Sequence, residues 1–193
     1  MKGLISALAT SNSNVLAAGT FSRHIGLYDT QSHNSLITTF PLPTTPTSQA
    51  GQGITQLHWT PDSHYLLITE RISNGISVLD VRNAGKQLAW LTGRKAMTQQ
   101  RLGVDVLGQE VWAGGTDGVV RVWEGVGMRE GVVEPTWGFR AHDDVVSSAG
   151  LHSTGSVLAT CSGQRHWGLD TDDGEGANQP VETSDNSLKL WAL

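Results

Sequence analysis

Cysteine is almost missing from this chain: Cys161 is the only one among 193 residues. An intramolecular disulfide is therefore excluded, and the composition is compatible with a reducing compartment. Charge is scarce as well. Charged residues make up 16% of the chain, against about 25% in an ordinary soluble domain. Basic residues are outnumbered 13 to 18, for a formal charge of −5. That balance excludes bulk attraction to nucleic acid or to a membrane surface, though it leaves room for a local basic patch. Long apolar runs are absent too. The uncharged stretch that follows Met1-Lys2 is broken by Ser11-Asn12-Ser13-Asn14, so neither a signal peptide nor a membrane span is expected. The chain also lacks a phosphate-binding loop, a zinc-ligand spacing and a G-x-S-x-G elbow. No cofactor, metal ion or small-molecule substrate is expected.

What the chain does have is glycine, 23 residues, and tryptophan, 7 residues, in a repeated pattern. Val111 to Gly125, VWAGGTDGVVRVWEG, reads as strand, tight turn, strand. Thr116-Asp117-Gly118 makes the turn, and Val120, Val122 and Trp123 supply the β-branched and aromatic side chains that suit a pleated surface. The second strand recurs as His24–Asp29, Gly75–Asp80 and Ser187–Trp191. Its anchor residues Tyr28, Leu79, Trp123 and Trp191 lie roughly 51, 44 and 68 residues apart, against about 40–45 for a WD repeat. The partner strand recurs at 15–19, 65–69 and 157–160. A preceding strand recurs at 4–9, 54–59, 102–107 and 145–151. One such meander cannot bury its own faces, so the repetition predicts an all-β array of about four propeller blades.

The expected blades are 3–40, 53–93, 98–141 and 145–193, in a single domain. Pro41 to Gln52 and Glu130 to Pro135 are expected to be loops. The fourth blade is interrupted by an acidic, apolar-poor insertion, about 166–184, expected to be disordered. Its fourth strand is missing. Four blades lie at the low end of the range for propellers, so an incomplete, truncated propeller is expected.

The WD signature carries a structural tetrad of His, Ser or Thr, Asp and Trp. The fourth repeat offers the full set as His142, Thr160 or Ser162, Asp185 and Trp191; the third keeps Asp117 and Trp123. Such a set ties the strands of a blade together by hydrogen bonds and needs no catalysis. Read instead as a triad, His142, Asp185 and Ser162 would make an enzyme; none is expected. The Asp170–Glu175 cluster lacks the D-x-D-x-D-G order of a calcium loop. Arg23, Arg71 and Arg165 each lie in or beside the turn between the second and third strands of a blade, with His24, His166 and Trp167 beside them. These turns share one rim, where guanidiniums and rings suit phosphates and stacked bases. The alternative is three solvated arginines with no common ligand.

Several segments go further. Leu158-Ala159-Thr160-Cys161-Ser162-Gly163-Gln164-Arg165 before an acidic insertion resembles a segment of the telomerase Cajal body protein family. So do Ile25–Tyr28, Gly53-Ile54-Thr55, the run from Trp90-Leu91 through Gly93-Arg94 to Gln100-Arg101, and Asp105. The resemblance spans Gly3 to Trp191 and covers only the C-terminal blades of such a propeller. It implies a nuclear, non-enzymatic scaffold that binds small Cajal-body or telomerase RNA of the H/ACA class and assists RNP assembly and localisation with RNP proteins. A cytoplasmic pool is compatible with it. A protein–protein scaffold, for instance in spliceosomal snRNP biogenesis, is the alternative.

Overall fold

The computed structural model describes residues 3–33, 35–45, 48–83, 86–163 and 185–193. They form sixteen strands in four sheets, each an antiparallel meander. The first blade consists of β1 (Ile5–Thr10), β2 (Val15–Thr20), β3 (His24–Asp29) and β4 (Ser35–Pro41). The second consists of β5 (Ile54–Trp59), β6 (Tyr65–Glu70), β7 (Ile76–Asp80) and β8 (Gln87–Leu91). The third consists of β9 (Val104–Leu107), β10 (Glu110–Gly114), β11 (Val119–Trp123) and β13 (Trp137–Arg140). The fourth has three strands, β14 (Val146–Leu151), β15 (Val157–Ser162) and β16 (Leu188–Ala192). A single 3₁₀ turn, Val81–Asn83, follows the second blade's third strand.

The remaining strand corrects an expectation. Glu130 to Pro135 reads as a loop in the sequence, but Gly131–Val133 forms β12 and pairs in parallel with β8 of the neighbouring blade. Three residues are too few for an alternating pattern to be visible in sequence. The second sheet thereby gains a fifth strand, supplied by the third blade. The strap is anchored at its end, where Thr92 N–H donates to the Val133 carbonyl at 2.9 Å. Trp123 Nε1 donates to the Thr92 carbonyl at 3.1 Å.

Burial lies between the blades. Along each strand alternate side chains point to the two neighbouring sheets. Ala17, Ile25 and Leu27 of the first blade meet Ile54, Leu57 and Leu66 of the second. Leu67, Ile76 and Val78 on the second blade's other face meet Val111, Ala113 and Trp123 of the third. Trp112, Val120 and Val122 then meet Val146, Ala149 and Leu158 of the fourth. Among the described residues, no hydrogen bond and no apolar cluster joins the first blade to the fourth.

Gly118 shows why the third blade's turn is spelled as it is. Its φ is +75°, a region open to glycine at no steric cost. A Cβ there would collide with the His142 carbonyl oxygen. The Gly118 carbonyl in turn accepts from Ala141 N–H and His142 N–H at 2.9 and 3.1 Å, so the turn docks onto the entry to the fourth blade.

Trp123 is fully buried between two blades and holds the strap's anchor. Replacement of a buried tryptophan by alanine destabilises by about 3–5 kcal/mol. Trp123→Ala is therefore expected to lower stability by that amount in urea unfolding, whereas Trp137→Ala, at a more exposed ring, should cost under about half as much.

Candidate nucleic-acid interface

The turns between second and third strands of the first three blades lie on one rim with the connectors between blades. The hydrogen bonds define it. The connector 92–103 runs along this rim and is tied to two of these turns and to the residue that follows β15. Ile72 N–H donates to the Thr98 carbonyl at 3.1 Å, and Thr116 N–H to the Lys95 carbonyl at 2.8 Å. Gln100 Nε2 donates to the Gly163 carbonyl at 2.7 Å. The first blade joins through a bidentate ion pair: Arg23 Nε and Nη2 donate to the Glu70 carboxylate at 2.6 and 3.1 Å.

That pair changes the role expected of Arg23. Glu70 is almost completely buried and neutralises it, and Arg23 Nη1 is further used by Thr44 Oγ1 at 3.0 Å. A guanidinium held in this fork has little to offer a phosphate. His24 is occupied locally, with Nδ1 2.9 Å from the Ser22 carbonyl. Arg71 is placed differently. It has no carboxylate partner among the described residues; Nη1 donates to the Gln99 carbonyl at 3.2 Å. Its guanidinium carbon lies 5.6 Å from the centre of the Phe21 ring, in cation–π range. Phe21 is itself 46% exposed. Arg165, His166 and Trp167, and the insertion around them, lie outside the described residues.

The sequence reading passed over the connector as a basic element. Residues 92–103, TGRKAMTQQRLG, contain three basic residues and no acidic one. Read as a charge window in so acidic a chain, that run was a visible signal. Arg94 is buried, and its Nε and Nη2 donate to the Gly114 and Leu102 carbonyls at 3.0 and 2.9 Å. Burial pushes its pKa down to about 10, so it stays charged at neutral pH. Lys95 is exposed, 3.8 Å from Asp117, whose carboxylate is already engaged by Arg121 at 2.7 Å. Arg101 is exposed at the end of the run. The connector thus carries exposed Lys95, Met97 and Arg101, and Arg71, bonded to its Gln99 carbonyl, lies over exposed Phe21.

The tetrad residues sit just below this rim in the fourth blade. Trp191 Nε1 donates to Thr160 Oγ1 at 2.9 Å, and Thr160 Oγ1 lies 2.8 Å from His142 Nε2. His142 Nδ1 lies 3.1 Å from Asp185 Oδ2. The ionised Asp185 carboxylate can only accept, which puts the imidazole proton on Nδ1, and Thr160 Oγ1, accepting from Trp191, donates to Nε2. Of the two hydroxyl candidates it is Thr160 that takes part; Ser162 Oγ is buried without a hydrogen-bond partner among the described residues. Ser162 does not meet His142, so the triad of His142, Asp185 and Ser162 is not assembled. In the third blade Asp117 and Trp123 are not linked in this way. No histidine precedes them, so Asp117 pairs with Arg121 and Trp123 with the Thr92 carbonyl.

Four meanders packed face to face and a Trp–Thr–His–Asp chain give the fold of a WD-repeat β-propeller. In sequence the chain is similar to the telomerase Cajal body protein family. It is 32% identical to bovine telomerase Cajal body protein 1 over 93% of its own length and 33% identical to the human protein over 98%. It is 28% identical, over 91% of its length, to the guanine nucleotide-binding protein negative regulator 1 of Schizosaccharomyces pombe. The chain spans about a third of the length of the bovine and human relatives, 32% and 35%, and 42% of the fission-yeast one. No family model matches the chain. Among solved structures, the computationally designed Ika4 protein matches at a TM-score of 0.63 and 16% identity, over 100% of this chain and 93% of that one. The designed Ika8 protein matches at 0.62 and 16%, over 100% of this chain and 47% of that one. A chain of the mitotic checkpoint complex matches at 0.63 and 22%, over 82% and 44%. These likenesses concern the fold.

Asp185 makes the tetrad sensitive to acid. Hydrogen bonding from Ser187 first, then from Asp143 N–H and His142, with Lys189 nearby, draws its pKa down from 3.8 to about 2. A carboxylate whose pKa is lower folded than unfolded stabilises the fold above the unfolded value and loses that contribution as pH falls through the folded one. Fold stability is therefore expected to drop between about pH 4 and pH 2, and Asp185→Asn should flatten that part of the profile. Chemical unfolding followed by tryptophan fluorescence at each pH measures it; parallel profiles for the two proteins would contradict it.

Proposed function

We propose that the chain is a non-enzymatic WD-repeat scaffold whose basic rim binds a small structured RNA of the telomerase or Cajal-body H/ACA class and assists assembly of the RNP in the nucleus. The observation that carries this reading is the connector 92–103. It carries Lys95 and Arg101 without acidic residues of its own, and its Gln99 carbonyl accepts from Arg71, whose guanidinium lies over the exposed Phe21 ring. Cations beside an exposed aromatic suit unpaired nucleotides, whose phosphates take the charge and whose bases take the ring. The net charge of the chain is negative, so attraction is confined to this patch and nonspecific coating of nucleic acid is disfavoured. The similarity to telomerase Cajal body protein 1 supports a telomerase-related partner and a nuclear, Cajal-body setting.

A second reading is a scaffold that binds proteins alone through the same rim. The fission-yeast relative, named as a negative regulator of a guanine nucleotide-binding protein, favours it, as do Phe21 and Met97, two exposed apolar side chains on that rim.

Salt dependence separates the two. Each lost phosphate contact to a single strand reduces the slope of log K against log salt by about 0.7. Lys95→Ala with Arg101→Ala should weaken binding of an H/ACA-type RNA and lower that slope by about 1.4, without loss of stability, since both residues are exposed. Arg23→Ala should do the reverse: destabilise the fold, because Glu70 is left buried and unpaired, and leave the slope in place. RNA affinity unchanged by the Lys95 and Arg101 substitutions leaves the protein scaffold.

A further inference from the structure

The turn of the first blade, the connector that leads to the second and the turn of the second blade meet at Phe21. The Arg71 guanidinium lies over its ring. Gly53, at the end of the connector, packs against the same residue. Its φ is +106°, and a Cβ there would stand 2.9 Å from Phe21 Cα and 3.1 Å from a ring carbon, so a glycine is what permits this approach. Main-chain bonds hold the connector to Arg71: Gln52 N–H donates to the Arg71 carbonyl at 2.9 Å, and Arg71 N–H to the Gly53 carbonyl at 3.0 Å. Gln99, from the connector 92–103, closes the group. Its carbonyl accepts from Arg71 Nη1, and its side-chain Nε2 donates to Gln52 Oε1 at 3.3 Å.

Neighbouring amides are spent on the fold. Gln49 accepts from Asn74 N–H through Oε1 and donates through Nε2 to the Met97 sulfur, both at 3.4 Å. Asn74 Oδ1 accepts from Ala96 N–H at 2.9 Å. Gln99 is spent only in part. A carboxamide has two N–H donors and an oxygen acceptor, and the bond to Gln52 uses one donor. Oε1 and the second N–H of Gln99 make no hydrogen bond among the described residues, and the residue is exposed. The bond to Gln52 also fixes which end of the Gln99 amide is nitrogen. Arg71 is unsaturated as well, for its Nε has no hydrogen-bond partner among the described residues.

We propose that this group selects one base of the bound RNA: an unpaired adenine stacks on Phe21, its edge is taken by the Gln99 amide, and Gln52 is the positioning residue that orients that amide. The proposal rests on RNA binding at this rim and adds the nucleotide that is chosen there. Adenine presents an acceptor at N7 beside the donor of its 6-amino group, the pattern that a glutamine amide matches with both of its ends. Guanine carries an oxygen in place of that amino group and would set one acceptor against another at Gln99 Oε1. An unpaired base can leave its stack for a protein ring, and its edge is then free to be read.

The test is anisotropy titration of the whole chain against four hairpin RNAs. Their stems are identical, and their uridine loops differ at one position, A, C, G or U. The adenine hairpin should bind about tenfold tighter than the others. Gln99→Leu should bring the four to one affinity with the salt slope unchanged, since no phosphate contact is lost. Gln52→Leu should narrow the preference, and Gln52→Glu, which still accepts from Gln99 Nε2, should restore it. Phe21→Leu should weaken all four by about tenfold. Gln52 and Gln99 are exposed, so their variants should keep the β-sheet circular dichroism of the parent. Four hairpins bound alike by the parent chain, or a preference that survives Gln99→Leu, overturn the proposal; RNA binding itself then stands if Lys95→Ala with Arg101→Ala still lowers the salt slope. Hairpins that are not bound at all overturn RNA binding at the rim and this proposal with it.

Discussion

A β-meander of three or four strands has two faces, and water is poor company for both when both are apolar. The fold rests on that constraint. Each sheet covers one side of the next, and the buried side chains fall into clusters that lie between sheets. Main-chain pairing makes the individual sheets, but the stack of side chains orders them. This is why alternate residues of one strand belong to different interfaces, with Val111 and Trp123 facing one neighbour and Trp112 and Val122 the other.

The polar groups on the rim are sorted by whether the stack has already used them. Arg23 is committed to Glu70 and Arg121 to Asp117. His142, Thr160, Asp185 and Trp191 form a closed chain that ties the entry of the fourth blade to its second and third strands. These bonds satisfy groups that would be costly to bury alone. The cations that remain accessible come chiefly from the connector 92–103, whose backbone is pinned to the neighbouring turns while Lys95 and Arg101 stay exposed. A backbone fixed by its neighbours with charged side chains directed outward is a sound platform for a polyanion, since little order has to be created on binding.

Much of the fold was legible because period-two alternation and glycine turns repeat, and each copy reinforces the reading of the others. The four meanders, their order and the three-strand form of the fourth can all be read from residues such as Gly118, Trp123 and Trp191. β12 was not legible, because Gly131-Val132-Val133 has no pattern until β8 is there to pair with it. The rim was half legible. Turn positions placed Arg23 and Arg71 on one side of the molecule, but local sequence does not reveal that Glu70, 47 residues from Arg23, takes one of them. The same holds for the choice between Thr160 and Ser162: both sit near the turn, and only the strand geometry decides which hydroxyl meets His142.

The strap formed by β12 gives the array an uneven mechanical character. In a linear stack, cooperativity depends on the coupling between nearest neighbours, and β12 adds a parallel strand pairing across the contact between the second and third blades, a link of a kind that the other two contacts do not show among the described residues. The first blade is packed on the second through side chains, and the third and fourth are joined by isolated main-chain bonds such as Gly103 N–H to the Ser147 carbonyl at 2.7 Å and Val146 N–H to the Gly115 carbonyl at 3.0 Å. The strap can stay paired only while both blades it joins are folded, so the amide protons of β8 and β12 should exchange together, and the opening of either blade frees the strap from the other.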